Sequence, residues 1–544
     1  MRIGGTAPWG IIMESAHPPR RRLIVYVAGL SEPPHAAKDL FNKLRHEPGY
    51  GPDEAIYWQF PQPVTRLSRG SLTAHCRDLA DRIDAYWTGP RQTAEIVLIG
   101  HSIGGVMLRY AFLQALRGLD GPQLAWADAV TRIVLLAAPN RGVDLNRAPW
   151  PCRVAAKLLV PLLRTFTVLD LLCGTPFITN LRIQWLREIA DLGKKAPTVV
   201  QVLARNDWAV DREDSRDLES LPTGAQRLMP NSTHGDIACT GRKVREDYTG
   251  QRYDILRWAI TEDVAATDPS PLPEREATIK SVVFALHGIR SGNGAWPTQL
   301  ETELHEFEKD VLVVTPSYGR LSAYDFALPF TRRRNLRWFA DQYSYHLARH
   351  PGVPFHFVGH SNGTYLFGQS LKQIPALEFH NVFLAGSVLP REFDWMKCAD
   401  NGQIRTLVNV CASADKPVAW LCSALRGLGM RDVGVGGFTG FDSVPPGTLQ
   451  VRYIKGGHGA ALVNRRLPGV VGFVHDGEPP CEPEHTQPTE FFELMSRSAP
   501  IATWLAGGAL IGLGCLAVAT LGPLVGLGVI GGLLAATYTG LKVA

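Results

Sequence analysis

The motif Gly-His-Ser-x-Gly occurs twice in this chain of 544 residues, at positions 100–104 and 359–363. Each copy follows a run of apolar, β-branched residues and precedes a stretch with the apolar spacing of a helix. Glycine on both sides of a serine permits the strained strand-to-helix turn known as a nucleophile elbow, which exposes the serine hydroxyl. The motif therefore predicts a strand, a sharp turn and a helix at two places in the chain.

The sequence around the two motifs is repeated as well. Gly29, at the end of an apolar run, lies 73 positions before Ser102. Gly288, also after an apolar run, lies 73 positions before Ser361. Later apolar runs follow each motif, at 131–140 and 198–207 and again at 379–388 and 405–415. Continuous apolar runs separated by helical stretches indicate parallel sheets buried on both faces. We therefore predict an α/β fold in which one α/β unit occurs twice along the chain, as two repeats.

Composition excludes several classes of protein. A formal net charge of +5 is small for this length, and a nucleic-acid-binding protein would show a dense basic face. The nine cysteines are scattered without a CxxC pair, and residues 1–22 lack the apolar core of a signal peptide, so we expect the catalytic part in the cytoplasm. No phosphate-binding glycine loop, dinucleotide fingerprint or metal-ligand cluster is evident, and we expect no cofactor.

The C-terminal segment has the composition of a membrane hairpin. No charged residue occurs from Ser498 to Leu541. Residues 501–521 are long enough to cross a bilayer, which takes about 20 apolar residues. A Gly-Pro pair at 522–523 separates them from a second apolar stretch, and small residues in both would allow close helix packing and oligomerisation. We expect residues 501–541 to anchor the chain in a membrane; a buried hairpin of a soluble protein is the alternative.

Proline-rich, acidic stretches at 261–276 and 475–488 have the composition of linkers. Together with the repeats and the hairpin, they predict the organisation of the whole chain. The predicted segments are a tail 1–21, a first repeat 22–262 with an insertion 143–196, a linker 263–276, a second repeat 277–475, a linker 476–497 and the hairpin 498–544.

Each repeat supplies the partners that a nucleophilic serine needs. A serine hydroxyl becomes a good nucleophile at neutral pH when a histidine takes its proton and a carboxylate orients that histidine. In α/β units with a nucleophile elbow, the acid and then the histidine follow the serine along the chain. The candidate catalytic residues are Ser102, Asp207 and His234 in the first repeat and Ser361, Asp415 and His458 in the second.

The acid of the first repeat has competitors. Asp211 and Asp214 stand close to Asp207. We prefer Asp207 because it directly follows an apolar run, and because a valine stands three positions after it, as one does after Asp415. Asp211 remains open as the alternative acid.

The first repeat resembles the lipase and serine-esterase branch of the α/β-hydrolase superfamily, the group around the GPI-inositol-deacylase-like proteins. The resemblance is carried by IVLIGHSIGGVMLRYAF at 96–112 and IVLLAAPNRG at 133–142. The second repeat resembles other α/β hydrolases through HGIRSGNGAW at 287–296 and GHSNGTYLFG at 359–368. The resemblance implies hydrolysis of an ester, thioester or amide bond through an acyl-enzyme, with the serines as nucleophiles, the histidines as bases and the aspartates as orienting acids.

The candidate oxyanion donors are main-chain N–H groups. A helix that begins directly after the serine offers one donor, and the resemblance implies a second one after the first strand. The candidate donors are those of Leu30 and Ile103 in the first repeat and of Ile289 and Asn362 in the second. His101 and His360, beside the serines, are rival bases, but their place on the strained turn favours a packing role.

The first repeat carries an insertion, residues 143–196, that the second lacks. The distance from the serine to the acid is 105 positions in the first repeat and 54 in the second. Residues 154–174 within the insertion are strongly apolar. They would form either a lid that shields an acyl chain from water or a buried helix pair that covers the sheet. The sequence leaves both alternatives open.

The leading hypothesis from the sequence is a membrane-anchored serine hydrolase of the lipase or esterase type that cleaves lipid or acyl esters at two candidate sites. A second hypothesis is a membrane-perturbing effector or toxin, in which the glycine-rich hairpin inserts and the hydrolase-like repeats regulate it. In a third, one repeat is catalytic and the other is a scaffold. Both repeats keep all three candidate catalytic residues, so the sequence does not choose between one site and two.

Overall fold

The computed structural model describes residues 21–521 except for a set of gaps. The gaps are residues 31, 33–34, 62, 66–67, 89–92, 120, 145–165, 208, 211–223, 241–245, 265–278, 289–294, 316–325, 327–328 and 479–487. The chain divides into two compact units. Unit 1 comprises residues 1–172 and 188–273, and unit 2 comprises residues 173–187 and 274–544. Each unit contains one six-stranded sheet.

Unit 1 is built on a parallel sheet. Its strands are β1 (Arg21–Val27), β2 (Ala55–Phe60), β3 (Thr93–His101), β4 (Val130–Leu136), β5 (Thr198–Asn206) and β6 (Gly224–Thr233). Their order across the sheet is β2-β1-β3-β4-β5-β6, and all neighbouring pairs are parallel. The helices in this part of the chain are α1 (His35–Leu44), α2 (Leu72–Trp87), α3 (Ile103–Arg117), α4 (Pro176–Leu192) and α5 (Glu246–Thr261).

Unit 2 repeats this architecture. Its strands are β7 (Ser281–Leu286), β8 (Val311–Val314), β9 (Phe355–His360), β10 (Phe379–Ala385), β11 (Ile404–Ala412) and β12 (Leu449–Ile454). Their order is β12-β11-β10-β9-β7-β8, again entirely parallel. The helices are α6 (Ala295–Phe307), α7 (Pro329–Arg349), α8 (Asn362–Gln373), α9 (Trp395–Asp400), α10 (Ser423–Gly427), α11 (Gly436–Thr439), α12 (Leu467–Asp476) and α13 (Glu490–Leu521). Counted from each unit's first strand, the two sheets share one order, and the predicted α/β class with parallel sheets is confirmed.

The continuous apolar runs reflect sheets that are covered on both faces. Successive side chains of a strand point to opposite faces. In β7, Val282, Phe284 and Leu286 belong to one buried apolar cluster, and Val283 and Ala285 belong to another. All five side chains are at most 1% exposed. Because neither face meets water, the strand carries no alternation of polar and apolar residues.

The insertion at 143–196 is described only in part. Residues 145–165, which contain much of its apolar stretch, lie outside the described residues. Cys173–Arg187, which includes most of α4, groups with unit 2. There Ile183 and Leu186 are buried in the apolar core. This part of the insertion therefore packs as a buried helix. The choice between a lid and a buried helix pair concerns residues 154–174, most of which lie outside the described residues, and both alternatives stay open.

The predicted membrane hairpin is not supported. In the part of the chain that the structure describes, no helix combines the length and the apolar character needed to cross a bilayer. The apolar stretch that begins at residue 501 continues α13, a helix with Glu490 and Glu493 in its first turn. This helix packs on α10, where Trp504 Nε1 donates a hydrogen bond to the Gly427 carbonyl over 2.9 Å. Residues 522–544, the second half of the predicted hairpin, lie outside the described residues.

Both motif serines lie on the predicted strand-to-helix turn. Ser102 stands between β3 and α3 with φ 52° and ψ −122°. Ser361 stands between β9 and α8 with φ 53° and ψ −120°. A positive φ in a residue with a side chain costs of order 1–3 kcal/mol and persists only where the surrounding structure imposes it. The two turns are thus strained in the same way and to the same degree.

The helix after each serine packs against the first strand of its sheet with no room for a side chain. A Cβ atom at Gly104 would lie 2.2 Å from the Val27 carbonyl oxygen. A Cβ atom at Gly363 would lie 2.4 Å from the Leu286 carbonyl oxygen. Both obstacles are main-chain atoms of buried strands, which cannot move aside. Glycine at the second position after the serine is therefore a packing requirement of the fold.

This packing predicts a large effect of a single methyl group. We expect Gly104→Ala to lower the free energy of unfolding by about 2–3 kcal/mol, because the clash forces α3 away from β1. Urea denaturation followed by circular dichroism measures the change. The control is Gly250→Ala in α5, where a Cβ atom would meet nothing within 4 Å. Glycine to alanine in an open helical position is expected to stabilise by up to about 1 kcal/mol, and equal effects of the two substitutions would contradict the packing argument.

Candidate active site

The three candidate catalytic residues of unit 1 form one hydrogen-bonded chain. Ser102 Oγ lies 2.8 Å from His234 Nε2. His234 Nδ1 lies 2.7 Å from Asp207 Oδ2. The Asp207 side chain is 1% exposed and that of His234 is 29% exposed. An ionised carboxylate only accepts hydrogen bonds, so His234 carries its proton on Nδ1 and presents Nε2 as the acceptor of the serine proton.

The main chain that follows β5 fixes the orientation of Asp207. Its Oδ1 accepts hydrogen bonds from the Ala209 N–H over 2.8 Å and the Val210 N–H over 3.1 Å. This leaves Oδ2 for the histidine. The valine three positions after the acid, noted in the sequence, is therefore part of the turn that holds the carboxylate. The competing Asp211 and Asp214 lie outside the described residues.

Unit 2 assembles the acid and the histidine in the same way. His458 Nδ1 lies 2.9 Å from both carboxylate oxygens of Asp415, which is fully buried. Asp415 Oδ1 also accepts a hydrogen bond from the Val418 N–H over 3.0 Å. Among the described residues, however, no hydrogen bond joins Ser361 Oγ to His458. The second triad therefore differs from the first at the serine–histidine step. Catalytic hydrogen bonds often tighten only when substrate binds.

The histidines that precede the serines face the main chain of the catalytic histidines. His101 Nε2 lies 2.7 Å from the carbonyl oxygen of His234. His360 Nε2 lies 3.0 Å from the carbonyl oxygen of His458. In neither unit does the described structure contain a hydrogen bond from this ring to the serine hydroxyl. Each ring is therefore placed as a packing element of the turn and not as a rival base.

Glu32, in the loop after β1, is a residue of the site that no sequence motif predicts. Its side chain is 1% exposed. Oε2 lies 2.6 Å from His101 Nδ1 and 2.7 Å from the Gly29 N–H, and Oε1 accepts from the Tyr26 hydroxyl over 2.6 Å. Burial by itself would raise the pKa of Glu32, but the hydrogen bonds and the charge of His101 outweigh it and hold that pKa below its ordinary value. The only signal in the sequence is an acidic residue three positions after the glycine that ends an apolar run.

The predicted oxyanion donors are only partly described. Ile103 and Asn362 are the first residues of α3 and α8. The first N–H groups of a helix have no partner within the helix, which is why these two are candidate donors. Leu30 lies in the loop after β1, and Ile289 lies outside the described residues. In unit 2, burial lowers the pKa of His287, whose Nδ1 lies 2.8 Å from the Gly288 carbonyl oxygen.

A cleft of about 650 Å³ opens beside His458. Its lining includes the basic residues Lys455, Arg465 and Arg466. Among the described residues, no cluster of three or more histidine, cysteine, aspartate or glutamate side chains is arranged to hold a metal ion.

Comparison with known proteins gives a likeness in structure without one in sequence. No protein-family model matches the chain, and no curated protein matches it significantly. The monoacylglycerol lipase of Paleococcus ferrophilus is 14% identical, over 44% of this chain and 95% of that one, with a TM-score of 0.29. A soluble variant of the monoglyceride lipase of Saccharomyces cerevisiae is 13% identical, over 45% of this chain and 89% of that one, with a TM-score of 0.30. A carboxylesterase structure from Nitrososphaera gargenis is 13% identical, over 44% of this chain and 89% of that one, with a TM-score of 0.28.

The geometry around Asp207 predicts which carboxylate orients His234. We expect Asp207→Asn to slow phosphonylation of Ser102 by a fluorophosphonate by about 10⁴-fold, the scale of the loss when the aspartate of a Ser-His-Asp triad becomes an amide. The amide can present an N–H to the ring and favour the wrong tautomer. Asp211→Asn is the matched control and should change the rate by less than about 3-fold, because Asp207 already holds the His234 ring. A large loss in Asp211→Asn with none in Asp207→Asn would contradict the assignment.

Proposed function

We propose that the chain is a serine hydrolase of the α/β-hydrolase class that cleaves carboxylic esters through an acyl-enzyme, with Ser102, His234 and Asp207 as its principal active site. One observation carries the proposal: the serine hydroxyl, the imidazole and a buried carboxylate are joined by hydrogen bonds of 2.8 and 2.7 Å. The serine also stands on a strained strand-to-helix turn, and acid and base follow it in the chain order typical of this class.

In the proposed acylation step, Ser102 Oγ attacks the carbonyl carbon of the ester. His234 Nε2 takes the serine proton as the new C–O bond forms, and Asp207 stabilises the resulting imidazolium. When the tetrahedral intermediate collapses, the bond to the leaving alcohol breaks and His234 gives the proton to the oxygen of that alcohol. The products of this step are the free alcohol and an acyl group esterified to Ser102.

In the proposed deacylation step, water takes the place of the alcohol. His234 accepts a proton from the water as its oxygen attacks the acyl carbon, and then protonates Ser102 Oγ as the carboxylic acid leaves. In both steps the developing oxyanion needs donors that are already in place. The N–H of Ile103, at the start of α3, is the first proposed donor, and that of Leu30, in the loop after β1, is the second.

For unit 2 we propose a role that is secondary to the proposed catalysis by unit 1. Asp415 and His458 are arranged as in unit 1, which supports a functional base. The missing hydrogen bond between Ser361 and His458 supports lower reactivity of this serine in the unliganded protein. Unit 2 is therefore either a slower second site, formed fully when substrate binds, or a scaffold, and the serine variants separate these two roles.

The test is turnover of p-nitrophenyl butyrate by the full-length chain and its serine variants. We expect Ser102→Ala to remove roughly 90% or more of the turnover, because loss of a triad serine costs about 10⁶-fold at its own site. Ser361→Ala serves as the matched control, since it removes the equivalent hydroxyl from the equivalent turn, and it should keep most of the activity. Release of p-nitrophenol measured by absorbance gives the rates.

Labelling by a fluorophosphonate supplies the second arm of this test. Wild-type protein should be labelled at Ser102 faster than at Ser361, as measured by mass spectrometry of the tryptic peptides. Residual turnover in Ser102→Ala that disappears in the double variant would assign it to Ser361. Wild-type protein that neither turns over the ester nor reacts with the probe would refute the proposed function.

A further inference from the structure

The loop after β1 and the loop that carries His234 meet at His101. The ring of His101 is 3% exposed and lies between two acceptors: the carboxylate of Glu32 at 2.6 Å from Nδ1 and the carbonyl of His234 at 2.7 Å from Nε2. We propose that His101 is a positioning residue of the first site, an imidazolium that ties the oxyanion loop after β1 to the main chain of the catalytic histidine. This role rests on the proposed function of that site.

The hydrogen-bond geometry favours the charged ring. A neutral imidazole donates from one nitrogen only, and the other nitrogen is an acceptor. A main-chain carbonyl cannot donate, so Nε2 of His101 must carry a hydrogen toward His234. Nδ1 then either donates to an ionised Glu32 or accepts a hydrogen from a protonated Glu32. Glu32 already accepts hydrogen bonds from the Tyr26 hydroxyl and the Gly29 N–H, which is the pattern of an ionised carboxylate, and an ionised Glu32 makes His101 the imidazolium.

The surrounding charges favour this state. The titratable groups that act on the ring are Glu32 and Asp207, and the Tyr26 hydroxyl faces Glu32 from β1. The ring of His234 lies 5.7 Å from that of His101 between centroids. Burial by itself would lower the pKa of His101. The hydrogen bond and the negative charge of Glu32, together with the His234 carbonyl and the charge of Asp207, outweigh burial and raise that pKa above its ordinary value.

Unit 2 provides an internal comparison. His360 makes the same contact with the carbonyl of its catalytic histidine, at 3.0 Å. No carboxylate among the described residues is hydrogen-bonded to this ring, and 259 positions after Glu32, the offset between the two motif serines, the sequence has Ser291. Burial, with a smaller contribution in the same direction from the neighbouring imidazoles of His458 and His287, lowers the pKa of His360 to about 3. Among the described residues the equivalent ring in unit 2 is therefore neutral, and the charged tie is found in unit 1.

The tie connects two parts of the proposed machinery, the loop after β1 and the main chain of His234. Glu32 accepts the N–H of Gly29, the residue before the proposed donor Leu30. His101 at the same time holds the carbonyl of His234, whose ring accepts the serine proton. Loss of the carboxylate charge should therefore displace both the oxyanion donor and the base. A misplacement of about 1 Å costs about 10²-fold in rate, and the loss should fall on kcat.

The decisive variant is Glu32→Gln, which keeps the size of the side chain and removes its charge. We expect kcat for p-nitrophenyl butyrate to fall by about 10-fold to 10²-fold with KM changed by less than about 3-fold. Glu54→Gln, in the exposed turn before β2, is the control and should leave both constants unchanged within experimental error. A variant with wild-type kcat would overturn the positioning role.

The charge state is tested without reference to activity, by NMR of protein labelled with ¹⁵N in its histidine rings. The resonance of His101 is identified by its loss in His101→Asn. In wild-type protein it should show two predominantly protonated ring nitrogens at pH 6.5, and the ring should lose its charge at a lower pH in Glu32→Gln than in the wild type. A neutral His101 in the wild type at pH 6 would overturn the proposal, whether or not the protein hydrolyses esters.

Stability provides a third readout with a definite sign. A raised histidine pKa stabilises the fold below the ordinary value of 6.5 and loses that contribution as the pH rises through the raised value. A lowered glutamate pKa stabilises above the ordinary value of 4.5 and loses that contribution as the pH falls through the lowered value. The difference in Tm between wild type and Glu32→Gln should therefore be largest between pH 4.5 and 6.5 and shrink above it. A difference that is flat with pH would overturn the ionic tie.

Discussion

The strained backbone of the motif serine is the constraint on which both units depend. Ser102 and Ser361 hold φ angles of 52° and 53°, a region that residues with side chains avoid. The surrounding sheet and helix impose this conformation: the serine N–H donates to the next strand, and the helix behind it packs onto the first strand at a glycine. The same packing that strains the serine places it at the end of the strand, where the helix begins. Fold and proposed chemistry therefore share one local geometry.

Much of this architecture could be predicted from the sequence, because burial leaves a direct trace in it. A strand such as β7 is buried on both faces and reads as an uninterrupted apolar run, and a residue type as constrained as Gly104 marks the elbow. The chain order serine, acid, histidine predicts that Ser102 and His234 act together although they are 132 positions apart. In the structure, Ser102 Oγ lies 2.8 Å from His234 Nε2. A pair this far apart can be predicted from the sequence when a motif identifies one residue and the end of a predicted strand identifies the other.

Other features arise from tertiary contacts that leave no periodic trace. Glu32 reads as an ordinary loop residue, and only its burial against His101 and Tyr26 gives it a role. The apolar stretch after residue 500 has the composition of a membrane segment. It continues a helix that contacts α10 at Trp504, and the large side chains farther along, such as Ile511 and Leu516, are exposed. The catalytic serine and histidine are hydrogen-bonded in unit 1 and not in unit 2. This difference lies in side-chain position, which the shared Gly-His-Ser-x-Gly motif does not determine. The two units thus share a fold and a residue set while differing in how each set is assembled.

The central claim is that Ser102 becomes acylated, and trapping the intermediate tests it most directly. A p-nitrophenyl ester is mixed with the full-length protein, the reaction is stopped with acid within milliseconds to seconds, and the peptides are mapped by mass spectrometry. The account predicts a burst of p-nitrophenol together with an acyl group on the peptide that contains Ser102. Turnover of the ester without an acyl group on Ser102, or an acyl group found only on Ser361, would contradict it.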